Sequence, residues 1–279
     1  MGHEGTKAEK GRIRPWQLLM FEKTLKKQQR LAELKRYLAT IEGDEQCLLV
    51  TCGDNNGAIY YYLSRIGGQW SFADLEDTCR AEMSDLLGVE VLPAEPDKLP
   101  FADGQFDRVV TIDVHEHLED PLAFTREVSR VTRTGGQVIC TVPNGDDSKL
   151  VVRIKHALGM TPDEYGHVRV GFTIPQLSEV MAQCGIEPRW TSTFSRLFTE
   201  LLELSINFAY VKILAPRSEV EVEKGQIAPA TGDQLKSMKK SYRVYSLIYP
   251  VYWLISRLDA LLPFMEGYVV VVAGRRSGK

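Results

Sequence analysis

The sequence predicts an α/β fold built on a doubly wound, mostly parallel sheet, and three observations predict it. Phe106 to Ile112 is an apolar, β-branched run of strand length, and Gln137 to Val142 is a second. Between them Asp120-Pro121 opens a helix, because aspartate accepts from free backbone N–H groups and the N–H that proline lacks was unpaired anyway. Leu122, Phe124, Val128 and Val131 give that helix one apolar face, and Gly135-Gly136 are expected to end it. Strand, helix, strand at this spacing is a parallel crossover unit, the repeat of doubly wound sheets.

The preceding segments follow the same alternation. Residues 1–14 are polar and read as a disordered N-terminus. A helix with a break is expected over Pro15 to Thr40, with Leu31, Leu34, Leu38 and Ile41 at helical spacing. Its Lys23, Lys26, Lys27, Arg30, Lys35 and Arg36 read as solvated surface. Cys47 to Cys52 is the first strand. The turn Gly53 to Gly57 follows, then a helix from Ala58 to about Ile66, stopped by Gly67-Gly68. Gln69 to Ala73 is the second strand with Asp74 at its end, Glu76 to Leu87 a helix, and Val89 to Leu92 the third strand.

After the crossover unit, Asp147 to Leu158 reads as a helix. Thr173 and Pro175 start another as cap and early-turn proline, Gly185 ends it, and Ile186 to Phe194 is the sixth strand. About 70 residues then intervene before the last strand, Gly267 to Arg275. This insertion, 197–265, holds an apolar helix from about Leu197, a charged linker from Pro216 to Asp233, and an aromatic helical region from about Gln234 to Phe264, kinked at Pro250. Arg257 and Asp259 argue against a membrane span. The insertion is expected to act as a lid, a substrate pocket, a dimer interface or a bilayer-surface element, with plain cover for the sheet as the alternative.

Composition bounds the function. With 279 residues, 44% hydrophobic and 25% charged, the chain is of ordinary globular type. A net charge of -3 gives no reason to expect nucleic acid as a partner. The cysteines Cys47, Cys52, Cys79, Cys140 and Cys184 form no C-x-x-C pair and read as buried thiols of a reducing, cytoplasmic compartment. No signal peptide or transmembrane run is visible, and no metal pattern is expected: His115 and His117 stand at i, i+2 with no cysteine cluster beside them.

The ordered set Leu99-Pro100-Phe101, Phe106-Asp107, Asp113 through Leu118 to Asp120-Pro121, Arg130-Val131, Gly135-Gly136 and Pro143-Asn144 resembles the central signature of class I S-adenosylmethionine-dependent methyltransferases, and within them the quinone and small-molecule branch. That resemblance implies a Rossmann-like sheet of seven strands, with 15–196 and 266–276 forming the methyltransferase domain. It implies S-adenosyl-L-methionine as cofactor and a small-molecule acceptor. The aromatic helices suggest an apolar or lipid-linked one, with peripheral membrane contact or a homodimer as companion readings.

The site residues follow from the same resemblance. Thr51 takes the position where the family carries an acidic residue. Gly53 and Gly57 match the outer glycines of its turn, and Asn55 replaces the middle one. Asp74, with its neighbour Leu75, is expected at the ribose; its spacing from Gly53 suits a carboxylate that accepts from both hydroxyls. A helix N-cap is the alternative. Glu95 is expected at the adenine or else on the surface, and Asp113 and Val114 beside the methionine part. His117 and His167 are the candidate bases, ahead of His115; an imidazole takes a proton near neutral pH. Packing or loop fixation is the alternative for each. Tyr165 stands close to His167 in sequence. Loss of the family's acid at Thr51 and of its middle glycine at Asn55 motivates a rival function, a non-catalytic binding or scaffold relative. A nicotinamide oxidoreductase is disfavoured, since G-x-G-x-x-G is absent.

Overall fold

The computed structural model describes residues 15–53, 56–159, 161, 167–209 and 232–278. The expected disordered N-terminus, most of the linker, Asn55 and Tyr165 lie outside the described residues. Among the described residues seven strands appear: β1 (Gln46–Thr51), β2 (Gln69–Asp74), β3 (Val91–Pro93), β4 (Phe106–Ile112), β5 (Thr132–Pro143), β6 (Ile186–Phe194) and β7 (Val269–Arg276). They form one sheet in the order β3-β2-β1-β4-β5-β7-β6. β1 pairs in parallel with β2 and β4, β2 with β3, and β4 with β5, while β7 runs antiparallel to both β5 and β6. This is the expected seven-stranded, mostly parallel sheet.

The strands carry apolar runs because helices cover both faces. Successive side chains point to opposite faces, so Leu49, Val110, Ile139 and Val271 join one core while Leu48, Val109, Val138 and Val270 join the other. The first core is closed by α1 (Trp16–Phe21), α2 (Leu25–Tyr37), α3 (Ala58–Leu63) and α4 (Arg80–Leu87). The second is closed by α5 (Pro121–Val131) and α7 (Ile174–Gln183) through Phe124, Val128, Leu177 and Met181.

The helix ends obey local chemistry. Asp120 Oδ1 accepts from the Leu122 and Ala123 N–H groups at 2.9 and 3.1 Å, and Thr173 forms a capping box with Gln176. The expected break in the N-terminal helix falls between Phe21 and Leu25. Three local expectations are corrected. Gly135-Gly136 do not end α5; it stops at Val131, and Thr132 is already extended and begins β5. Gly135, at φ +75, turns within that strand segment instead. The helix expected from Glu76 starts only at Arg80, because the Asp74 carboxylate holds the Glu76 N–H in a turn. The aromatic region is α-helical over α9 (Gly232–Ser256), which passes through Pro250, and tightens to a 3-10 turn at Arg257–Leu261.

The insertion packs on the fold. Asp259 accepts from the backbone N–H groups of Arg196 (2.9 Å), Phe198 (2.8 Å) and Thr199 (3.3 Å), capping α8 (Leu197–Ala209) from 60 residues downstream. Tyr245 of α9 donates to the Lys23 carbonyl in the break between α1 and α2. The insertion thereby lies against α2 and α6 (Leu150–Ala157), on the side of the sheet where the parallel strands end.

Candidate active site

In an open parallel sheet, ligands meet the carboxyl ends of the strands where the order reverses, here between β1 and β4. A small cleft lies there, lined by Phe21, Arg30, Thr51, Cys52, Ile112 and Asp113. The turn after β1 is compatible with a close ligand: Gly53 and Gly57 stand at φ +72 and +83, where a side chain would be strained.

Asp74 is where the sequence places it, at the end of β2, but it turns inward. Only 1% exposed, its Oδ1 accepts from the N–H groups of Gly53 and Glu76, both at 2.9 Å, and its Oδ2 takes the Thr51 hydroxyl. Thr51 also meets the Tyr60 hydroxyl, which reaches the Ala73 carbonyl at 3.1 Å. Burial pushes the Asp74 carboxyl above its usual range, and the three donors pull it back in part. Its oxygens therefore brace the turn after β1. The exposed Glu76, two residues on, lays its carboxylate over Gly53, where an added Cβ would collide with it. Leu75 donates its N–H to Thr51 and packs in part against the second core. Glu95 is exposed at the top of β3, in a turn closed by paired backbone bonds to Lys98.

The segment after β4 carries the polar centre. Asp113 adopts φ +50, a conformation short polar residues tolerate, and stays half-buried. Both its oxygens take Arg30 Nη2, at 2.8 and 2.6 Å. Val114 is wholly buried in the second core, so only its backbone can meet a ligand. His115 is buried, with Nε2 3.2 Å from Thr125 Oγ1 and its ring edge-on to Phe124 and Phe172. Burial, with Arg169 nearby, holds its pKa at about 4, which suits a packing role.

His117 and His167 meet, ring centroids 4.6 Å apart and nearly perpendicular. The backbone brings them together: Val168 N–H donates to the Glu116 carbonyl at 2.9 Å, and Arg169 reaches the Leu118 carbonyl at 2.7 Å. Burial and the neighbouring His117 lower the His167 pKa to about 4. Glu116 is wholly buried. Burial first, then Asp113, raises its carboxyl well above the usual range.

Four contributors escape the sequence reading, and Arg30 and Lys26 correct it. The basic helix is not all solvated surface. Arg30 is 9% exposed on Asp113, and Lys26 pairs with the buried Glu200 of α8 at 2.8 Å. The signal was the register: Lys26 and Arg30 continue, in steps of four, the face of Leu34 and Leu38. Glu200 also takes Lys155 at 3.1 Å and the Ser195 hydroxyl at 2.6 Å. Burial raises its carboxyl, but the two lysines outweigh that and bring it to about 2. Glu76 is the fourth, hidden because the expected acid at the strand end precedes it.

Residues 48–140 match a family described as "Methyltransferase domain". Over 94 residues the chain is 35% identical to "Probable S-adenosylmethionine-dependent methyltransferase MT3114" of Mycobacterium tuberculosis, covering 33% of this chain and 34% of that protein. It is 25% identical over 149 residues to a ubiquinone biosynthesis O-methyltransferase of Dinoroseobacter shibae, covering 50% and 60%. The chain thus spans about a third and about three fifths of the length of these relatives. The geranyl diphosphate C-methyltransferase of Streptomyces coelicolor A3(2), solved with Mg2+, geranyl diphosphate and S-adenosyl-L-homocysteine, has the same fold. Its TM-score is 0.52 at 14% identity, over 90% of this chain and 77% of that one.

Proposed function

We propose that this chain, which carries a class I S-adenosylmethionine-dependent methyltransferase domain over residues 48–140, moves a methyl group to an oxygen of an amphiphilic, lipid-linked acceptor. The observation that carries methyl transfer is the cleft itself: it brings Thr51 and Cys52 at the end of β1 together with Ile112 and Asp113 at the end of β4. The residues present fit the cofactor, with two glycines at positive φ, Gly53 and Gly57, in the turn after β1 and the exposed carboxylate of Glu76 laid over the first. Bound there, S-adenosylmethionine supplies a methyl on a sulfonium whose departure needs no acid. The chain's own task is to align the acceptor, exclude water and give the acceptor's proton somewhere to go. Arg30 holds Asp113 in place, and the Glu200 salt bridges pin α8 to α2 and α6.

The lipid-linked acceptor rests on α9. Leu247, Val251 and Leu254 recur in steps of four and three, so they share one face of α9, and the 3-10 turn after it adds Leu258 and Leu261; all five are exposed, Leu247 by 80% and Leu261 by 69%. The same helix begins with Lys236, Lys239, Lys240 and Arg243 in sequence. An apolar face beside a basic segment suits an anionic bilayer surface. Among the described residues no helix is long and apolar enough to cross a membrane.

Two experiments test this reading. Calorimetric titration with S-adenosylmethionine and S-adenosylhomocysteine is expected to give about micromolar binding. No binding at millimolar ligand would favour the non-catalytic relative, for which the inward-turned Asp74 and Thr51 speak. Flotation with anionic vesicles is expected to carry the protein upward, and Leu254→Ser with Leu258→Ser to leave it behind. A concentration-dependent dimer that ignores vesicles would overturn the bilayer assignment.

A further inference from the structure

We infer that Glu116, His117 and His167 form a binding site for one divalent transition-metal cation of the zinc class. One carboxylate oxygen of Glu116 and one ring nitrogen of each histidine lie within 4.8 Å of one another. A shared ion could bridge such a set with small side-chain adjustments, since zinc–ligand distances are about 2.0–2.2 Å. Two imidazoles and a carboxylate are a donor set that prefers zinc and its neighbours over magnesium or calcium.

A second observation is independent of the clustering. Glu116 is 0% exposed, and neither of its carboxylate oxygens has a hydrogen-bond partner among the described residues. A buried carboxylate without partners is costly, and a coordinated ion is one arrangement that removes the cost. The neighbouring cations do not neutralise Glu116 by contact, because they are engaged elsewhere. Arg30 is held by Asp113, and Lys26 and Lys155 by Glu200. The site is also built by the fold: the Val168-to-Glu116 backbone bond clamps the His167 segment onto the turn that carries Glu116 and His117.

With three protein donors, a four-coordinate ion keeps one position open, as catalytic sites do. Its use rests on the methyl-transfer reading above. An acceptor hydroxyl bound there becomes more acidic and gives its proton to solvent water. Its oxygen pair then forms the new bond to the methyl carbon, whose old bonding pair stays on sulfur.

The test reads metal binding alone. The full chain, freed of metal with chelator and dialysed, is titrated with Zn2+ by calorimetry and with Co2+ by visible absorption. One equivalent is expected to bind, with the absorption of low-coordinate cobalt. Glu116→Gln and His167→Gln, each confirmed as folded by circular dichroism, are each expected to weaken Zn2+ at least about 100-fold, since even outer partners of metal ligands are worth roughly 10–100-fold. No binding, or binding that neither variant changes (an adventitious ion only), would overturn the site. The same samples are titrated with S-adenosylhomocysteine. Loss of that binding with Zn2+ retained would sink the methyltransferase reading and leave the metal site standing.

Discussion

Arg30 of α2 and Asp113 beyond β4 form a two-oxygen contact, 2.8 and 2.6 Å, that ties the N-terminal helices to the end of the sheet. The guanidinium is largely buried and the carboxylate partly so, with side-chain exposures of 11% and 28%. Arg30→Gln leaves Asp113 without that charge beside the buried Glu116. It is expected to lower stability by about 1–3 kcal/mol, read as a shift in denaturant midpoint. An unchanged midpoint would show the pair to be screened by solvent.

Asp74 and Glu76 are expected to separate structure from binding. Asp74→Ala leaves the Gly53 and Glu76 N–H groups and the Thr51 hydroxyl without their acceptor, and should cost about 1–3 kcal/mol of stability. Glu76→Gln should keep the melting temperature yet weaken S-adenosylhomocysteine about tenfold, the loss of one charge-assisted bond. Calorimetry on both variants checks this. Equal affinity in Glu76→Gln would show that its carboxylate does not touch the cofactor.

Glu200 gives the fold an acid limit. Its carboxyl sits at about 2 against an ordinary value of 4.5, so the unfolded chain binds the proton more readily. The stabilisation, about 3 kcal/mol, is present above about pH 4.5 and is lost as pH falls toward about pH 2. Denaturant midpoints of the natural protein should therefore drop between about pH 5 and about pH 3. Glu200→Gln should be less stable at neutral pH and show a shallower acid slope. Parallel slopes would remove Glu200 as the cause.

Asp259 is the long-range cap of α8. Asp259→Ala should cost about 1–2 kcal/mol and Asp259→Asn less, because the amide oxygen can still accept. Hydrogen exchange at Phe198 and Thr199 should rise in step. Unchanged exchange there would mean that the cap is redundant.

The sheet and its order of elements were legible because apolar runs, glycine stops and capping residues are local signals. Phe106–Ile112 and Ile186–Phe194 were read to the residue. The helix end was misread at Gly135-Gly136 because glycine also serves a turn inside a strand segment, and only strand pairing decides between the two. The place of the site followed from topology. The direction in which each side chain points did not: Asp74 could be read toward a ribose or as a cap, and only the structure shows its oxygens holding the turn after β1.

By itself the sequence determined the α/β class, the parallel crossover units, the glycine turn and the candidate residues beyond β4, since each depends on neighbours a few positions apart. Only the tertiary structure decided which of them meet. Arg30 reaches Asp113 across 83 residues, Lys26 and Lys155 converge on Glu200, and His167 comes to His117 beside an unpartnered Glu116. Charges buried together must find one another across the chain, and a pattern that reads like solvated surface in one helix cannot show what another helix brings to it.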